Sequence, residues 1–324
     1  MKKFRNKLDN NLKNKKNLKN YIFSGVKILF LILVVYFLGK YFIDNWDVIK
    51  NMDWNLNWGS ILISLLFYFA YMITLASLWH YITKLNQCSI GHFDAVIAYL
   101  SSIPGKYIPG KVFLLMARCP AYEKAGQPLR KVTVCFFLEN ICTLLGAAFL
   151  FLISLFFFPN DLLAKYAWLT VILIILFFIF IHPRIINFFL RMAGKLLKKD
   201  MEIPMAYPDL LRVVILFICN WLVAGSGFFM LVHAIYPVTA SQWLYVGGIY
   251  GLSTIIGILA LFAPSGLGVR EGILMAGLLR IMPEEYAVTI SLISRLWQTV
   301  AEIFLVAGSL LVNRITKCIK KSGS

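Results

Sequence analysis

Long apolar segments alternate with short polar ones along most of the 324-residue chain. A helix that crosses a bilayer needs about 17–25 mostly apolar residues. Segments of this kind lie at 21–43, 59–84, 132–158, 166–182, 208–236, 241–262 and 286–313. The alternating pattern of a transmembrane β-barrel is not seen in the sequence. The pattern therefore predicts an all-α fold, a polytopic bundle of helices in a membrane.

Two further apolar segments, 95–119 and 264–282, differ from a simple span because proline, glycine and charged residues interrupt them. Proline and glycine both weaken a helix interior. We interpret the two segments as re-entrant or broken hairpins, whose irregular backbone must be buried in protein or face water. The residues expected to shape the breaks are Pro104, Gly105, Pro109, Gly110, Pro264, Gly266, Gly268 and Gly272.

The charge distribution suggests an orientation. Residues 1–20 hold eight Lys or Arg and one Asp, and the whole chain has a formal net charge of +17. Basic residues gather on the cytoplasmic side of membrane proteins, so the N-terminus is expected in the cytoplasm. This tail is either simply solvated or lies on anionic lipid headgroups. We divide the chain into a basic cytoplasmic tail (1–20), one transmembrane domain (21–315) and a short basic C-terminal tail (316–324).

The number of crossings depends on the second broken segment. Seven full spans leave the basic residues of the C-terminus outside, whereas an eighth crossing by 264–282 brings them into the cytoplasm. The charge rule favours eight crossings. The likeness of the two broken segments favours seven. The sequence therefore predicts seven or eight transmembrane helices.

The two broken segments also suggest an internal repeat. In each half a Pro/Gly break leads into a short helix, and then into a span that carries a charged residue. Glu139 follows Gly110 by 29 residues, and Arg295 follows Gly266 by 29 residues. Paired interrupted helices in two halves indicate a substrate site near the membrane midplane in transporters.

Three charged residues lie within predicted spans: Glu139 in "CFFLENICTLLG", and Arg295 and Glu302 in the last span. A charge at the bilayer centre costs at least about 2.5–3.5 kcal/mol, so such residues face a protein interior and pair. One interpretation is a Glu139–Arg295 pair that fixes helix packing. The other is a charge pair that lines or gates a path for a charged headgroup. The sequence leaves both open.

Four cations in the broken segments are candidate ligands of an anionic headgroup: Lys106, Lys111, Arg118 and Arg270. Glycine lets backbone N–H groups approach an anion, and helix N-termini favour negative charge. The alternative is that these are ordinary charges of cytoplasmic loops. This alternative is weakest for Arg270, which lies between glycines within an apolar stretch.

Composition narrows the class further. Charged residues make up 15% of the chain, against about 25% in soluble domains. No sequence motif for a metal, a nucleotide or a catalytic triad is present, so no cofactor, metal site or catalytic residue is expected. Without an RNA- or DNA-binding module, the positive charge predicts no nucleic-acid partner.

The segments "GKYIPGKVFLLMAR" (105–118) and "APSGLGVREG" (263–272) resemble the two signature segments of the flippase-like, lysylphosphatidylglycerol synthase transmembrane-region family. The resemblance covers roughly residues 20–315. In large bifunctional members, the membrane part moves aminoacylated phosphatidylglycerol between leaflets, and a soluble domain transfers lysine from lysyl-tRNA. This chain resembles the short form that has no soluble aminoacyltransferase domain.

The resemblance therefore implies a protein of the bacterial inner membrane that flips a lipid. The lipid would be an anionic or aminoacylated phospholipid, or a polyprenyl-phosphate lipid. The alternatives are a phosphatidylglycerol lysyltransferase linked to resistance against cationic antimicrobial peptides, and a non-transporting partner of a glycosyltransferase. The expected partners are lipids with anionic headgroups and a separate aminoacyltransferase or glycosyltransferase.

Overall fold

A computed structural model describes a defined part of the chain. The described residues are 36, 40, 43, 46, 50, 55–107, 112–157, 168, 171–172, 174–177, 179, 181–197, 202–203, 205–260, 266 and 268–322. Two units are distinguished, Met1–Asn51 and Met52–Ser324. The described residues of the first unit are helical. All other observations below concern the second unit.

In the first half of the second unit, the structure gives the bounds of four α-helices. They are α1 (Trp58–Leu85), α2 (His92–Ser102), α3 (Val112–Lys124) and α4 (Leu129–Ser154). A 3₁₀ turn, Ile103–Tyr107, continues α2 towards the first break, and a second one, Leu155–Phe157, extends α4. The side chain of Asn57 caps α1 by accepting a hydrogen bond from the backbone N–H of Ser60 at 3.1 Å, which satisfies one of the free donors at the helix start.

The second half begins with an amphipathic helix and then repeats the order of the first. Its α-helices are α5 (Pro183–Leu197), α6 (Tyr207–Ile235), α7 (Trp243–Leu259), α8 (Val269–Leu278) and α9 (Glu284–Ser322). A 3₁₀ turn, Ala240–Gln242, precedes α7. The elements in the described part of the chain are helical throughout, in agreement with the predicted all-α class.

Within the described ranges, five helices are long and apolar enough to cross a membrane: Trp58–Leu85, Leu129–Phe157, Tyr207–Ile235, Ala240–Leu259 and Glu284–Thr316. They confirm five of the predicted spans to within a few residues at most boundaries. Of the predicted span 21–43, only residues 36, 40 and 43 are described. Of 166–182, residues 168, 171–172, 174–177 and 179 are described as helical, and the rest of that segment up to 180 is not described. The chain is thus a polytopic helical membrane protein.

The second broken segment does not form a full crossing by itself. Helix α8 has ten residues, which at 1.5 Å per residue extend about 15 Å, half of the hydrocarbon core. The positive-inside argument for an eighth crossing at 264–282 therefore does not hold for this helix. The reason is that Gly266 and Gly268, both with positive φ, delay the start of the helix until Val269.

The expected internal repeat is visible in the element order. Helices α1 to α4 and helices α6 to α9 both follow the order long, shorter, break, short, long. In the first half α2 packs on α3, and in the second half α7 packs on α8. The two helices that flank each break thus pack against each other, as in the predicted helical hairpins. Pro109, Gly110, Lys111 and Pro264 fall outside the described residues.

Glycines bring the central helices of the two halves close together. A Cβ atom added to Gly225 of α6 would lie 3.1 Å from the Cα atom of Gly247 in α7. A Cβ atom added to Gly251 of α7 would lie 3.1 Å from the carbonyl oxygen of Ala147 in α4. Small residues at such positions let helix backbones approach in a membrane, where packing drives association. These contacts bring α4, α6 and α7 into close packing.

Candidate functional site

A cavity of about 160 Å³ lies among helices of both halves. Its wall combines charged groups with aromatic rings, an unusual composition for a membrane interior. The charged residues that line it are Lys106, Arg118, Glu139, Arg270 and Glu302. The aromatic residues that line it are Tyr68, Tyr71, Tyr99, Phe136, Trp221 and Tyr250. Five of the charged residues that the sequence singled out therefore meet at one place.

The first charged group joins the two halves. Lys106, in the 3₁₀ turn after α2, forms an ion pair with Glu302 of α9. The same carboxylate oxygen of Glu302 accepts a hydrogen bond from the hydroxyl of Tyr68 at 2.7 Å, and another from the side-chain amide of Gln298 at 3.1 Å. The side chain of Lys106 is 20% exposed, whereas that of Glu302 is 4% exposed. Lys106 is thus the more accessible member of this pair.

The second charged group belongs to the first half alone. Arg118 of α3 and Glu139 of α4 form an ion pair with an N···O distance of 2.5 Å. The Nε–H of Arg118 donates to the hydroxyl of Ser102 at 3.1 Å. Its guanidinium lies 4.0 Å from the ring centre of Tyr99 and 4.5 Å from that of Trp79. A carboxylate, a hydroxyl and two aromatic faces therefore hold this cation in one position.

Arg270 is the third cation of the cavity, and its surroundings differ. It lies in the first turn of α8 and is 6% exposed. One guanidinium nitrogen donates to the amide oxygen of Gln298, and the guanidinium lies 4.7 Å from the ring centre of Tyr250. Its Nε–H is buried and has no hydrogen-bond partner among the described residues. Arg270 is therefore a buried cation that bonds to a neutral amide and keeps one donor unused.

Gln298 connects the first group with Arg270. Its amide oxygen accepts from Arg270, and its amide nitrogen donates to Glu302, which lies one helical turn further along α9. A continuous chain of contacts therefore runs from Lys106 through Glu302 and Gln298 to Arg270. One cation from each broken segment is thus linked to one buried carboxylate, Lys106 directly and Arg270 through Gln298.

Arg295 lies outside the cavity wall and pairs with a residue of its own half. Its Nε atom lies 2.9 Å from a carboxylate oxygen of Glu271, and both side chains are buried. The other oxygen of Glu271 accepts a hydrogen bond from the backbone N–H of Gly268 at 2.7 Å, which caps α8. A single carboxylate thus fixes the start of α8 and binds the next helix.

The expected Glu139–Arg295 pair is therefore wrong. Each residue pairs with an ion on the short helix that precedes it in the chain, Arg118 for Glu139 and Glu271 for Arg295. The physical reason is proximity, because each short helix packs directly against the span that follows it. Glu139 and Arg295 have opposite charges, which is why the sequence suggested that they pair. The sign of a charge alone does not identify its partner.

The predicted break-shaping residues have different roles. A Cβ atom added to Gly105 would lie 2.8 Å from the backbone nitrogen of Leu114, so glycine is required where the first hairpin closes. Gly266 has φ +71° and lies against the backbone of Gly257, and Gly268 has φ +80°. Gly272 lies inside α8 with open space for a Cβ atom. Pro104 lies in the 3₁₀ turn of the first break.

The sequence reasoning missed three residues of the cavity wall, Gln298, Tyr250 and Tyr68, and it also missed Glu271, the ion-pair partner of Arg295. Gln298 had a detectable signal, because it precedes Glu302 by four residues and so shares its helix face. Glu271 had one as well, since it stands three residues after Gly268 in the spacing of a helix cap. The two tyrosines come from α1 and α7 and had no signal in the local sequence.

The fold and the cavity define a class, a multi-pass helical membrane protein with a buried, charged site between two related halves. The profile of the family described as lysylphosphatidylglycerol synthase TM region matches residues 23–305. The chain belongs to this family, as the two signature segments predicted. Comparison with curated proteins returned no match.

Proposed function

We propose that this protein binds the anionic headgroup of a membrane lipid in the charged cavity and moves that lipid between the two leaflets. The observation that carries the proposal is Arg270, a buried cation with a neutral hydrogen-bond partner and an Nε–H donor that no described residue uses. A charge in a membrane interior is costly unless it is compensated. An anionic ligand would supply the missing compensation.

The remaining cations of the cavity support the same ligand chemistry in different ways. Arg118 is held by Glu139, Ser102 and two aromatic rings, so it acts as a fixed part of the wall. Lys106 is more exposed and has a flexible side chain, so it can exchange its carboxylate partner for a ligand. Guanidinium and ammonium groups are the usual donors to phosphate oxygens in proteins.

The aromatic residues of the cavity wall suit the part of a lipid that lies between the phosphate and the apolar chains. Tyrosine and tryptophan place an apolar ring beside a polar group, as at a membrane interface. The headgroup would thus lie among charges while the chains remain in the bilayer. The lipids that fit are anionic or aminoacylated phospholipids and polyprenyl-phosphate lipids. The same proposal assigns the protein to the bacterial cell membrane with a cytoplasmic N-terminus, on the basic residues of 1–20.

The test is leaflet exchange in reconstituted liposomes. The full-length protein is inserted into vesicles that contain a fluorescent phosphatidylglycerol, its lysyl ester or a polyprenyl phosphate, and the label in the outer leaflet is quenched chemically. We expect faster exchange of at least one of the three lipids than in protein-free vesicles. Equal rates with and without protein for all three lipids would contradict the proposal.

The matched variants are Arg270→Gln and Arg212→Gln. A lost charge-assisted hydrogen bond costs about 1.5–3 kcal/mol, so Arg270→Gln is expected to slow exchange about tenfold or more. Arg212 is an exposed arginine whose side chain is 69% accessible, and its replacement should leave the rate unchanged. Equal losses in both variants would show that the charge of the cavity is not what matters.

Two other roles give different readouts. A phosphatidylglycerol lysyltransferase would produce lysyl-phosphatidylglycerol in a host that makes none, which lipid extraction detects. A non-transporting partner would co-purify with a glycosyltransferase and would tolerate Arg270→Gln. Neither role requires the charged cavity, so leaflet exchange that depends on Arg270 separates our proposal from both.

A further inference from the structure

The cavity wall has an uneven balance of charges. Among the described residues that line it, three are cations (Lys106, Arg118 and Arg270) and two are carboxylates (Glu139 and Glu302). The Arg118–Glu139 pair is neutral and tightly held. The remaining group, formed by Lys106, Glu302 and Arg270, has a formal charge of +1. We call it the exchange cluster.

Glu302 occupies the place in the exchange cluster that an anionic ligand would take. Its carboxylate forms an ion pair with the ammonium of Lys106. It is also linked through the side-chain amide of Gln298 to the guanidinium of Arg270. Tyr68 donates a third hydrogen bond to the same oxygen. Glu302 thus acts as an internal counter-ion that lowers the positive charge of the site without removing either cation.

A buried site is most stable with a ligand that brings its charge to zero. An uncompensated charge in a low-dielectric interior costs several kcal/mol. The exchange cluster, at +1, is neutralised by one negative charge. A phosphodiester carries one negative charge, whereas a phosphate monoester carries about 1.5–2 at pH 7. A monoester would therefore leave excess negative charge in the cavity.

We propose that Glu302 sets the charge selectivity of the cavity, so that it accepts a headgroup of the phosphodiester class with a single net negative charge in preference to a phosphate monoester. This inference rests on the proposed function and deepens it, because it names the charge class of the lipid. Glu302 is here a specificity-determining residue, and Lys106 and Arg270 are the groups that contact the phosphate.

The experiment measures two lipids against the same protein. Short-chain phosphatidylglycerol serves as the phosphodiester, and phosphatidic acid of the same chain length serves as the monoester. Binding to the purified full-length protein in a neutral detergent is followed by calorimetry at pH 8, where the monoester is doubly charged. We expect the native protein to bind the phosphodiester about tenfold more tightly.

Glu302→Gln should reverse this preference. The amide oxygen of glutamine can still accept hydrogen bonds from Tyr68 and Lys106, but the cluster now has a charge of +2. We expect the monoester to bind about tenfold more tightly than the phosphodiester. Because the ratio of two affinities is measured within one variant, a moderate loss of protein stability does not change the readout.

The double variant Lys106→Gln with Glu302→Gln provides the decisive control. It removes one charge of each sign, returns the cluster to +1, and should restore the preference for the phosphodiester. Glu202→Gln makes the same chemical change in an exposed ion pair with Arg191 and should leave the ratio unchanged. An exposed pair is screened by solvent and has little effect at a distance.

The outcomes separate the two proposals. If neither lipid binds and no lipid exchanges between leaflets, the proposed function fails. If anionic lipids bind but Glu302→Gln leaves their ratio unchanged, the charge selectivity fails and the proposed function stands. A reversal by Glu302→Gln that the double variant does not restore would also overturn the inference, because charge would then not be the cause.

Discussion

The two halves of the molecule use the same arrangement with opposite polarity. In the first half the short helix α3 carries the cation Arg118 and the following span carries Glu139. In the second half the short helix α8 carries Glu271 and the following span carries Arg295. Each pair connects a short hairpin helix to the span that follows it. The two halves therefore share this ion pair as a structural feature.

The difference between the pairs concerns their surroundings. Arg118 and Glu139 line the cavity, while Glu271 and Arg295 are not part of its described wall. In the second half the neighbour of Glu271, Arg270, faces the cavity instead. Because Arg270 and Glu271 are adjacent in α8, the second half has a structural ion pair through Glu271. It also presents to the cavity a cation, Arg270, whose hydrogen-bond partner is neutral. We infer that one half supplies the fixed wall and the other the binding cation.

The largest effect is expected from breaking the pair of the first half. Arg118→Met leaves Glu139 buried without a cation and removes the contacts with Trp79 and Tyr99. Loss of one partner of a buried ion pair costs about 3–5 kcal/mol, and the lost cation–π contacts add to it. We expect the free energy of unfolding to fall by about 4 kcal/mol, measured by denaturant titration in mixed micelles.

Removing both charges of that pair is the control. In Arg118→Met with Glu139→Leu no unpaired charge remains, and we expect most of the lost stability to return. A double variant as unstable as Arg118→Met would mean that packing, and not the unpaired carboxylate, accounts for the loss.

A slightly smaller loss is expected for the pair of the second half. Glu271→Gln leaves Arg295 without its carboxylate, but the amide oxygen can still accept the hydrogen bond from the N–H of Gly268. We expect a loss of about 3 kcal/mol in the same titration. Glu271→Ala should cost about 1 kcal/mol more, because it also removes the helix cap. Equal losses in the two variants would show that the cap contributes nothing.

The glycines at the two breaks give the next effect. Gly105→Ala forces a Cβ atom against the backbone of Leu114, and overpacking of this kind costs about 2 kcal/mol. Gly266→Ala meets the backbone of Gly257 and also adopts a positive φ, which costs about 1 kcal/mol more. Thermal unfolding of the two variants should rank Gly266→Ala as the less stable. The opposite order would show that the backbone at 266 can rearrange.

The smallest effect is expected at Gly272, within the same helix as Arg270. Alanine at this position has open space and a better helix propensity, so Gly272→Ala should stabilise the protein by about 0.5–1 kcal/mol. Its thermal unfolding should move upward, in contrast to Gly266→Ala. A loss of stability would mean that a neighbour outside the described residues occupies the space.

The fold class and the location of the breaks could be predicted because both depend on local composition. Apolar length defines a span, and proline with glycine interrupts one. The five long spans found in the described part of the chain agree with the predicted ones. The same reasoning left 264–282 open between a hairpin and a crossing, because apolar length did not show that the helix begins only at Val269, after two positive-φ glycines.

The candidate site could be predicted only as a set of charges. A lysine, two arginines and two glutamates were recognised as costly inside a membrane, and they do lie together. Only some of their partners were predictable from spacing. Gln298 lies one helical turn before Glu302 in the same span, whereas Tyr68 becomes a neighbour of Glu302 only when α1 and α9 pack together.

The sequence by itself determined that this chain is a helical membrane protein with two related, broken hairpins and a few charges that must be compensated. This follows from the cost of exposing backbone and charge to hydrocarbon, which acts on each segment separately. The tertiary structure alone decided which charges pair, because a pairing depends on which helix faces pack against each other and not on the sign of the charges. It joined Arg118 to Glu139 and Glu271 to Arg295, and it left Arg270 facing the cavity beside a neutral amide.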